Sequence, residues 1–128
     1  MISESIYDDL LDSLEKDFTE IMLILKCLGN ENRLQILMYL VKTPKSYGNI
    51  VKNIELKKTA VSNHLSQLLD VNMIEKEEHG VYKISADGLS FIKAIERAYQ
   101  DLPSKQVKKF ETLQQRSISN SFLDRFKL

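Results

Sequence analysis

The stretch LKKTAVSNHLSQLL, residues 56–69, has the pattern of an amphipathic helix with an unusual outer face. Its apolar residues recur at helical spacing and predict a buried stripe of Val61, Leu65, Leu68 and Leu69. The opposite face carries short, uncharged polar side chains in one row: Thr59, Asn63, Ser66 and Gln67. Because solvated helix faces usually carry Lys and Glu, this row raises the question of what the predicted helix, from about Lys58 to Asp70, contacts.

A neutral polar helix face of this kind fits the major groove of DNA, from which acidic groups would be excluded. Asn63 and Gln67 can pair bidentately with adenine, and Ala60 or the Thr59 methyl group can contact the thymine methyl. The lysine pair at 57–58 begins the helix, where it would meet phosphates together with the positive end of the helix dipole. The alternative is that the polar face is simply solvated.

The neighbouring elements favour DNA. A short helix is predicted near 47–53, capped by Ser46, and the turn IELKK joins it to the helix at 58–70. Two helices joined in this way form a helix-turn-helix unit. Two β-capable runs follow within 73–84, and Gly80 between them can take the positive φ of a hairpin turn. We therefore predict a winged helix-turn-helix, mainly α with a small β-hairpin wing (α+β).

Amphipathic helices flank this core. Apolar residues at helical spacing predict one helix over 6–28, with Gly29 as a left-handed C-cap and Asn30 as the N-cap of a helix near 31–42. Pro44 should stop that second helix.

On the other side of the hairpin, Ser85 should cap a helix that Pro103 interrupts, and a last helical stretch includes Ile118 and Phe122. We predict a single domain over 1–128, in which residues 21–85 form the DNA-binding core. Residues 1–20 and 86–128 should supply flanking helices for dimerisation, since the core alone cannot cover their apolar stripes.

The charge of the chain is zero overall but unevenly distributed. Residues 1–32 carry eight acids and two bases (−6), and residues 33–64 carry six bases and one acid (+5). Residues 65–102 carry seven acids and four bases (−3), and residues 103–128 carry six bases and two acids (+4). The most basic segment, 33–64, contains the first half of the proposed DNA-reading helix, and local charge, not the total, sets the field at a binding face.

The composition indicates a globular cytoplasmic protein. The single cysteine excludes an internal disulfide. The acidic start MISESIYDDL is unlike a signal peptide, and the apolar run IMLIL is far too short to span a bilayer. We therefore predict no membrane association.

Two segments resemble the ArsR family of winged-helix repressors: LKCLGNENRLQILMYL at 25–40 and VSNHLSQLLDVNMIEKEEHGVYKIS at 61–85. The resemblance covers roughly residues 21–85 and implies a homodimeric transcriptional regulator, a repressor that reads an inverted repeat in double-stranded DNA. It places the base-reading positions at Thr59, Ala60, Ser62 and Asn63, and the wing contacts at His79 with the nearby Lys76 and Lys83. With the helix face, the predicted DNA-contacting residues are Lys57, Lys58, Thr59, Ala60, Ser62, Asn63, Gln67, Ser46, Tyr47, His79 and Lys83. Tyr47 could instead pack the turn.

The sequence departs from the metal-sensing members of that family. The segments corresponding to their metal sites read KSYGNIVKNI at 45–54 and SADGLSFIKAIERAYQ at 85–100, without Cys or His. Cys27, His64 and His79 are not spaced in the sequence as the ligands of a transition-metal site are. We predict no metal site and no cofactor. A buried Cys27, an internally hydrogen-bonded His64 and an ion-paired Arg33 are the structural interpretations of those residues.

Three other functions compete with this prediction. Glu75, Glu77 and Glu78 make the wing acidic, so the fold could instead dock other proteins. Cys27 could serve a thiol-redox-responsive regulator. An enzyme is disfavoured, because the chain has no Gly-rich phosphate loop and no convergent catalytic groups. The sequence does not identify a small-molecule effector.

Overall fold

The computed structural model describes the main chain of residues 2–126 and the side chains of residues 6–115. In chain order the helices are α1 (Ile2–Lys16), α2 (Phe18–Leu28), α3 (Glu31–Tyr39), α4 (Tyr47–Ile54), α5 (Lys58–Asp70), α6 (Ala86–Gln100) and α7 (Pro103–Phe126). The strands are β1 (Lys45–Ser46), β2 (Ile74–Lys76) and β3 (Val81–Ile84). The predicted fold class, mainly helical with a small antiparallel sheet, is confirmed.

The chain divides into two units, Met1–Leu89 and Ser90–Leu128. The core of the first unit is formed by side chains of α3, α4, α5 and β2, and of the residues directly after α3 and before β2. All are almost completely shielded from water: Ile36, Leu37, Leu40, Ile50, Val61, Leu65, Leu68, Met73 and Ile74. The predicted apolar stripe of α5 is therefore confirmed at three positions, while Leu69 is half-buried. This burial fixes which face of α5 remains outside.

The sheet has the strand order β1-β3-β2, with both pairs antiparallel. Ile74 pairs with Ile84 and Lys76 with Tyr82, which makes the predicted hairpin. At its turn Gly80 has φ +70° as expected, and His79 also adopts a left-handed conformation, with φ +61°. The two-residue strand β1 was not predicted, because a strand this short has no periodicity to read.

Three predicted helix ends are wrong. The helix expected over 6–28 begins at Ile2 and is interrupted at Asp17 (φ −111°, ψ 19°), a residue type that disfavours helix interiors. Gly29 is not a left-handed cap: its φ is −72°, and its N–H continues the helical pattern to the Leu25 carbonyl at 2.9 Å. The second helix ends at Tyr39, well before Pro44. The Asn30 cap is confirmed by a 3.1 Å bond from the Arg33 N–H.

The start of α6 is fixed against the hairpin. Ser85 is buried and caps the helix by accepting from the Gly88 N–H at 2.9 Å, while its hydroxyl donates to the Asn72 carbonyl at 2.6 Å. A Cβ atom added to Gly88 would overlap the main-chain carbonyl of Met73. Only glycine allows this close approach.

The second unit contains the rest of α6 and all of α7. Pro103 occupies the first turn of α7, where its missing N–H has no helical partner to lose. The predicted interruption at this proline is confirmed. Six large apolar side chains of this unit are exposed: Ile95, Tyr99, Leu102, Val107, Phe110 and Leu113. The side chains of Ile118 and Phe122 lie outside the described residues. No helix in the described part of the chain is long and apolar enough to cross a membrane.

Candidate nucleic-acid interface

The helix-turn-helix is formed by α4, α5 and the turn between them. The Ser46 side chain caps α4 by accepting from the Asn49 N–H at 3.2 Å. Glu55 ends α4 in a left-handed conformation, with φ +60°, which turns the chain sharply toward α5. Lys57 stands at the N-cap of α5 in an extended conformation, and its side chain makes no cap hydrogen bond. A lysine cannot accept a hydrogen bond, so the first-turn N–H groups of α5 are not satisfied by a cap.

The outer face of α5 matches the row seen in the sequence. Lys57, Lys58, Thr59, Ser62, Asn63 and Ser66 are exposed, and Ala60 and Gln67 are half-buried at its edges. Among the described residues, the side chains of Thr59, Asn63 and Gln67 make no hydrogen bond within the chain. Their donors and acceptors are therefore available to a ligand, and no carboxylate belongs to this part of the face.

Tyr47 joins the two helices of the motif. Its hydroxyl donates to the Lys58 carbonyl at 2.8 Å and lies 2.8 Å from the Ser62 hydroxyl. Because a phenol has a single proton, the Ser62 hydroxyl is then the donor in the second bond. Ser62 consequently keeps acceptor capacity toward the outside but has used its proton within the fold. The Tyr47 hydroxyl thus bonds within the turn in the chain without DNA, and its contact with a phosphate stays a prediction.

Arg33 connects α5 to the end of α2. Its Nε donates to the Cys27 carbonyl at 2.7 Å, and another guanidinium nitrogen lies 3.4 Å from the Lys26 carbonyl. A third nitrogen lies 3.3 Å from Nδ1 of His64, the residue after Asn63 on α5. The ion pair expected for Arg33 is not found among the described residues, since the two ion pairs there both belong to Lys83. The guanidinium instead donates hydrogen bonds to carbonyls at the C-terminus of α2, where the helix dipole favours a cation.

His64 and Cys27 both have structural surroundings. Burial, and then the charge of Arg33, lower the pKa of His64 from its usual 6.5. Since the guanidinium can only donate, Nδ1 of His64 must be the acceptor. Cys27 is 5% exposed, and burial raises the pKa of its thiol while Arg33 opposes that rise. The predicted burial of Cys27 and the internal hydrogen bond of His64 are both confirmed.

The wing compensates much of its own positive charge. Lys83 lies 3.1 Å from a Glu77 carboxylate oxygen and 3.4 Å from one of Glu75. These bonds, to Glu77 first, raise the pKa of Lys83. Lys76 stacks over the Tyr82 ring at 5.7 Å. With three glutamates and two lysines, the hairpin has a net charge of −1 with neutral histidine.

The structure brings the predicted residues into two groups. Ser46, Tyr47 and the positions on α5 share the helix-turn-helix, whereas His79 and Lys83 lie on the wing. Sequence reasoning missed the bond between Arg33 and His64, because it joins residues 31 positions apart in the chain. No group of three or more potential metal ligands occurs among the described residues.

A helix-turn-helix followed by a two-stranded wing, with a third short strand completing the sheet, defines a winged helix-turn-helix protein. The family model for the bacterial regulatory proteins of the arsR family matches residues 30–76. The chain belongs to the ArsR family.

Several known proteins resemble the chain. The transcriptional activator HlyU of Vibrio cholerae is 38% identical over 58 residues, which are 45% of this chain and 54% of that protein, so the match spans about half of the relative. The structure of reduced HlyU from Vibrio cholerae N16961 is 32% identical with a TM-score of 0.58, covering 68% of this chain and 96% of that one. HlyU from Vibrio vulnificus CMCP6 is 30% identical with a TM-score of 0.54, covering 70% and 97%.

A third structure shows the fold alone. The homodimeric winged helix-turn-helix DNA-binding domain Mb0332 from Mycobacterium bovis is 22% identical with a TM-score of 0.59, covering 70% of this chain and 86% of that one.

Proposed function

We propose that the chain is a homodimeric transcriptional regulator that binds an inverted repeat in double-stranded DNA, with α5 in the major groove. The observation that carries this proposal is the exposed, uncharged face of α5, whose Thr59, Asn63 and Gln67 side chains have no partner among the described residues. A helix face that contacts only water usually carries Lys and Glu, not a row of uncharged polar side chains. Membership of a family of bacterial regulatory proteins supports the same function.

The contacts of each residue suggest its role. Asn63 is exposed on the outer face, and we assign it a bidentate hydrogen bond to adenine. Thr59 and Ala60 lie within the first turn of α5, where they reach base edges and thymine methyls. Lys57 and Lys58 are assigned to phosphates flanking the uncapped helix start.

Two further residues act mainly by positioning. Ser46 and Tyr47 use their hydroxyl oxygens within the motif, one as the cap of α4 and one as the link to α5. Ser46 still has a hydroxyl proton that a phosphate could accept. For the wing, we assign only weak contacts, near His79 at the tip, because Lys83 is held by two glutamates.

The exposed apolar side chains of α2 and α6 support assembly as a homodimer. Phe18, Leu25 and Ile95 are between 42% and 58% exposed in the single chain. A twofold dimer would cover such positions and place two α5 helices about one DNA turn apart, roughly 34 Å.

Repression is the expected direction of regulation from the family resemblance, although the curated relative bears the name of an activator. A reporter under the selected operator decides the direction.

The test is selection from a random-sequence duplex library at about 150 mM salt, with light scattering on the same protein for its mass. An enriched inverted repeat bound by a dimer is the expected result. Replacement of Asn63 by Ala should weaken binding by roughly 1–3 kcal/mol and relax the preference at one base position. Replacement of Lys57 and Lys58 by Ala should weaken binding to all sequences and lower the salt slope by about 0.9 for each phosphate that is no longer neutralised.

No enrichment, with only weak binding that salt abolishes, would contradict the proposal and favour the protein-docking alternative. The thiol-redox alternative is disfavoured by the surroundings of Cys27. Its thiol is buried and its pKa is raised, whereas a reactive cysteine needs access and a stabilised thiolate.

A further inference from the structure

The hydrogen bonds between α4 and α5 fix the position of one proton on the outer face of α5. The Tyr47 hydroxyl oxygen lies 2.8 Å from the Lys58 carbonyl oxygen and 2.8 Å from the Ser62 hydroxyl oxygen. Lys58 and Ser62 are four residues apart on α5, so they lie on one side of the helix in successive turns, and one phenol can reach both. Three oxygen atoms therefore share two protons, one from Tyr47 and one from Ser62.

Only one arrangement of the two protons supplies a proton to both contacts. A carbonyl oxygen cannot donate, so the contact between Tyr47 and Lys58 needs the phenol proton. The contact between Tyr47 and Ser62 must then contain the serine proton, because two oxygens 2.8 Å apart repel each other unless a proton lies between them. Ser62 is exposed, and its hydroxyl therefore presents only lone pairs to a ligand on the outer face.

The neighbours of Ser62 on this face are not restricted in the same way. The Thr59 hydroxyl makes no hydrogen bond in the described part of the chain, so it can turn to donate or to accept. The Asn63 amide offers both a donor and an acceptor. Ser62 is thus a hydroxyl of fixed polarity beside two side chains that can adapt to either kind of base edge.

Base edges in the major groove differ in the polarity that Ser62 can match. Adenine and cytosine carry amino groups there, N6 and N4, which donate hydrogen bonds. Guanine and thymine carry carbonyl oxygens, O6 and O4, which accept them. An oxygen that can only accept binds the amino bases and repels the keto bases, whereas a hydroxyl that is free to rotate binds both classes.

We propose that Tyr47 determines base specificity without touching a base: it accepts the Ser62 proton and so restricts the base that Ser62 contacts to adenine or cytosine. The proposal rests on the proposed function, in which α5 enters the major groove, and adds what the operator must contain at one position. Without the phenol, the Ser62 proton can turn toward a base carbonyl, or toward the Lys58 carbonyl that already accepts within the helix. Removal of the Tyr47 hydroxyl should therefore relax one base position and leave the others unchanged.

Selection from a random-sequence duplex library tests this with full-length proteins: the natural chain, Ser62→Ala, Tyr47→Phe and the double variant. Ser62→Ala marks the base position that Ser62 reads, as the position whose preference is lost. Duplexes with each of the four bases at that position in both half-sites are then titrated at about 150 mM salt. Tyr39→Phe is the matched control, because the Tyr39 hydroxyl makes no hydrogen bond in the described part of the chain.

The duplex that the natural chain binds most tightly should carry adenine or cytosine at the marked position. It should bind at least about 10-fold more tightly than either duplex with guanine or thymine, since the keto bases replace a hydrogen bond by two facing acceptors. Tyr47→Phe should reduce this ratio to about twofold, at that position only. The double variant should show the base preferences of Ser62→Ala alone, because Tyr47 acts through Ser62. Tyr39→Phe should keep the natural ratio.

Three results would overturn the proposal: a guanine or thymine preference of the natural chain at the marked position, an unchanged ratio in Tyr47→Phe, or an equal loss of every base preference in that variant. The last pattern would indicate a loosened motif rather than a freed proton. Circular dichroism verifies folding. If Tyr47→Phe does not fold, the preference of the natural chain at the position marked by Ser62→Ala still decides.

The same selection separates this inference from the proposed function. A natural chain that enriches no sequence refutes the proposed function, and this inference with it. A natural chain that enriches an operator in which Ser62→Ala changes no base position refutes only the role assigned to Tyr47 and Ser62.

Discussion

Replacement of Tyr47 by Phe separates a positioning role from a DNA-contacting one. The change removes only the hydroxyl that joins α4 to the Lys58 carbonyl and the Ser62 hydroxyl, both at 2.8 Å. A net hydrogen bond contributes about 0.5–1.5 kcal/mol. The freed oxygens of Lys58 and Ser62 are exposed and can bind water, so we expect a total loss of about 1 kcal/mol rather than the sum of two bonds.

In a chain of 128 residues, 1 kcal/mol corresponds to a decrease of about 4 °C in Tm. Urea unfolding followed by circular dichroism measures the loss. DNA affinity, compared at equal concentrations of folded protein, should fall by less than about threefold, because the Tyr47 proton is already donated inside the motif. Tyr39→Phe is the matched control, since the Tyr39 hydroxyl makes no hydrogen bond in the described part of the chain.

The opposite pattern would refute this reasoning. If Tyr47→Phe left the free energy of unfolding unchanged and weakened operator binding by about 10-fold or more, the hydroxyl would be a phosphate donor in the complex and its bond to Lys58 would be unimportant.

Three other predictions concern the wing, the core and the pH dependence. Burial, and then Arg33, lower the pKa of His64, so the unfolded chain binds the proton more readily. The stability that this group contributes is complete above pH 6.5 and is lost as the pH falls below it. His64→Gln should therefore flatten that part of the plot of the free energy of unfolding in urea against pH. Gly88→Ala should cost about 2–3 kcal/mol in unfolding experiments, whereas Gly48→Ala, with no atom closer than 4.0 Å to the new methyl, should be neutral or slightly stabilising. Glu78→Lys at the exposed wing tip should tighten binding to any duplex and steepen the salt slope by about 0.9; an unchanged slope would show that the wing stays off the DNA.

The elements of the first unit were predictable where burial and periodicity agree. The spacing in α5 fixed both its limits and its inner face, because a helix half-immersed in a core must place apolar residues every three or four positions. The caps at Asn30, Ser46 and Ser85 were readable for a similar reason: each side chain satisfies an N–H group that the helix itself leaves open.

What escaped prediction depends on contacts distant in the chain or on weak local preferences. A side chain at position 88 would overlap the Met73 carbonyl, and no residue near Gly88 in the sequence indicates that this carbonyl lies there. The break at Asp17 interrupts a pattern that continues on both sides, so apolar spacing alone could not reveal it. The acidity of the wing is visible in the sequence, but the pairing of Lys83 with two of its glutamates appears only when the strands are aligned.

The bond between Arg33 and His64 has a consequence for the length of the operator. Arg33 braces the middle of α5 against the end of α2, so in a dimer that pairs through α2 the two reading helices cannot shift independently. Each base pair inserted between half-sites moves the second by about 3.4 Å and rotates it by about 35° around the duplex. A dimer held in this way cannot follow that combined shift and rotation. We therefore expect DNA with one base pair inserted between its half-sites to bind much more weakly, even when every base in both half-sites is correct.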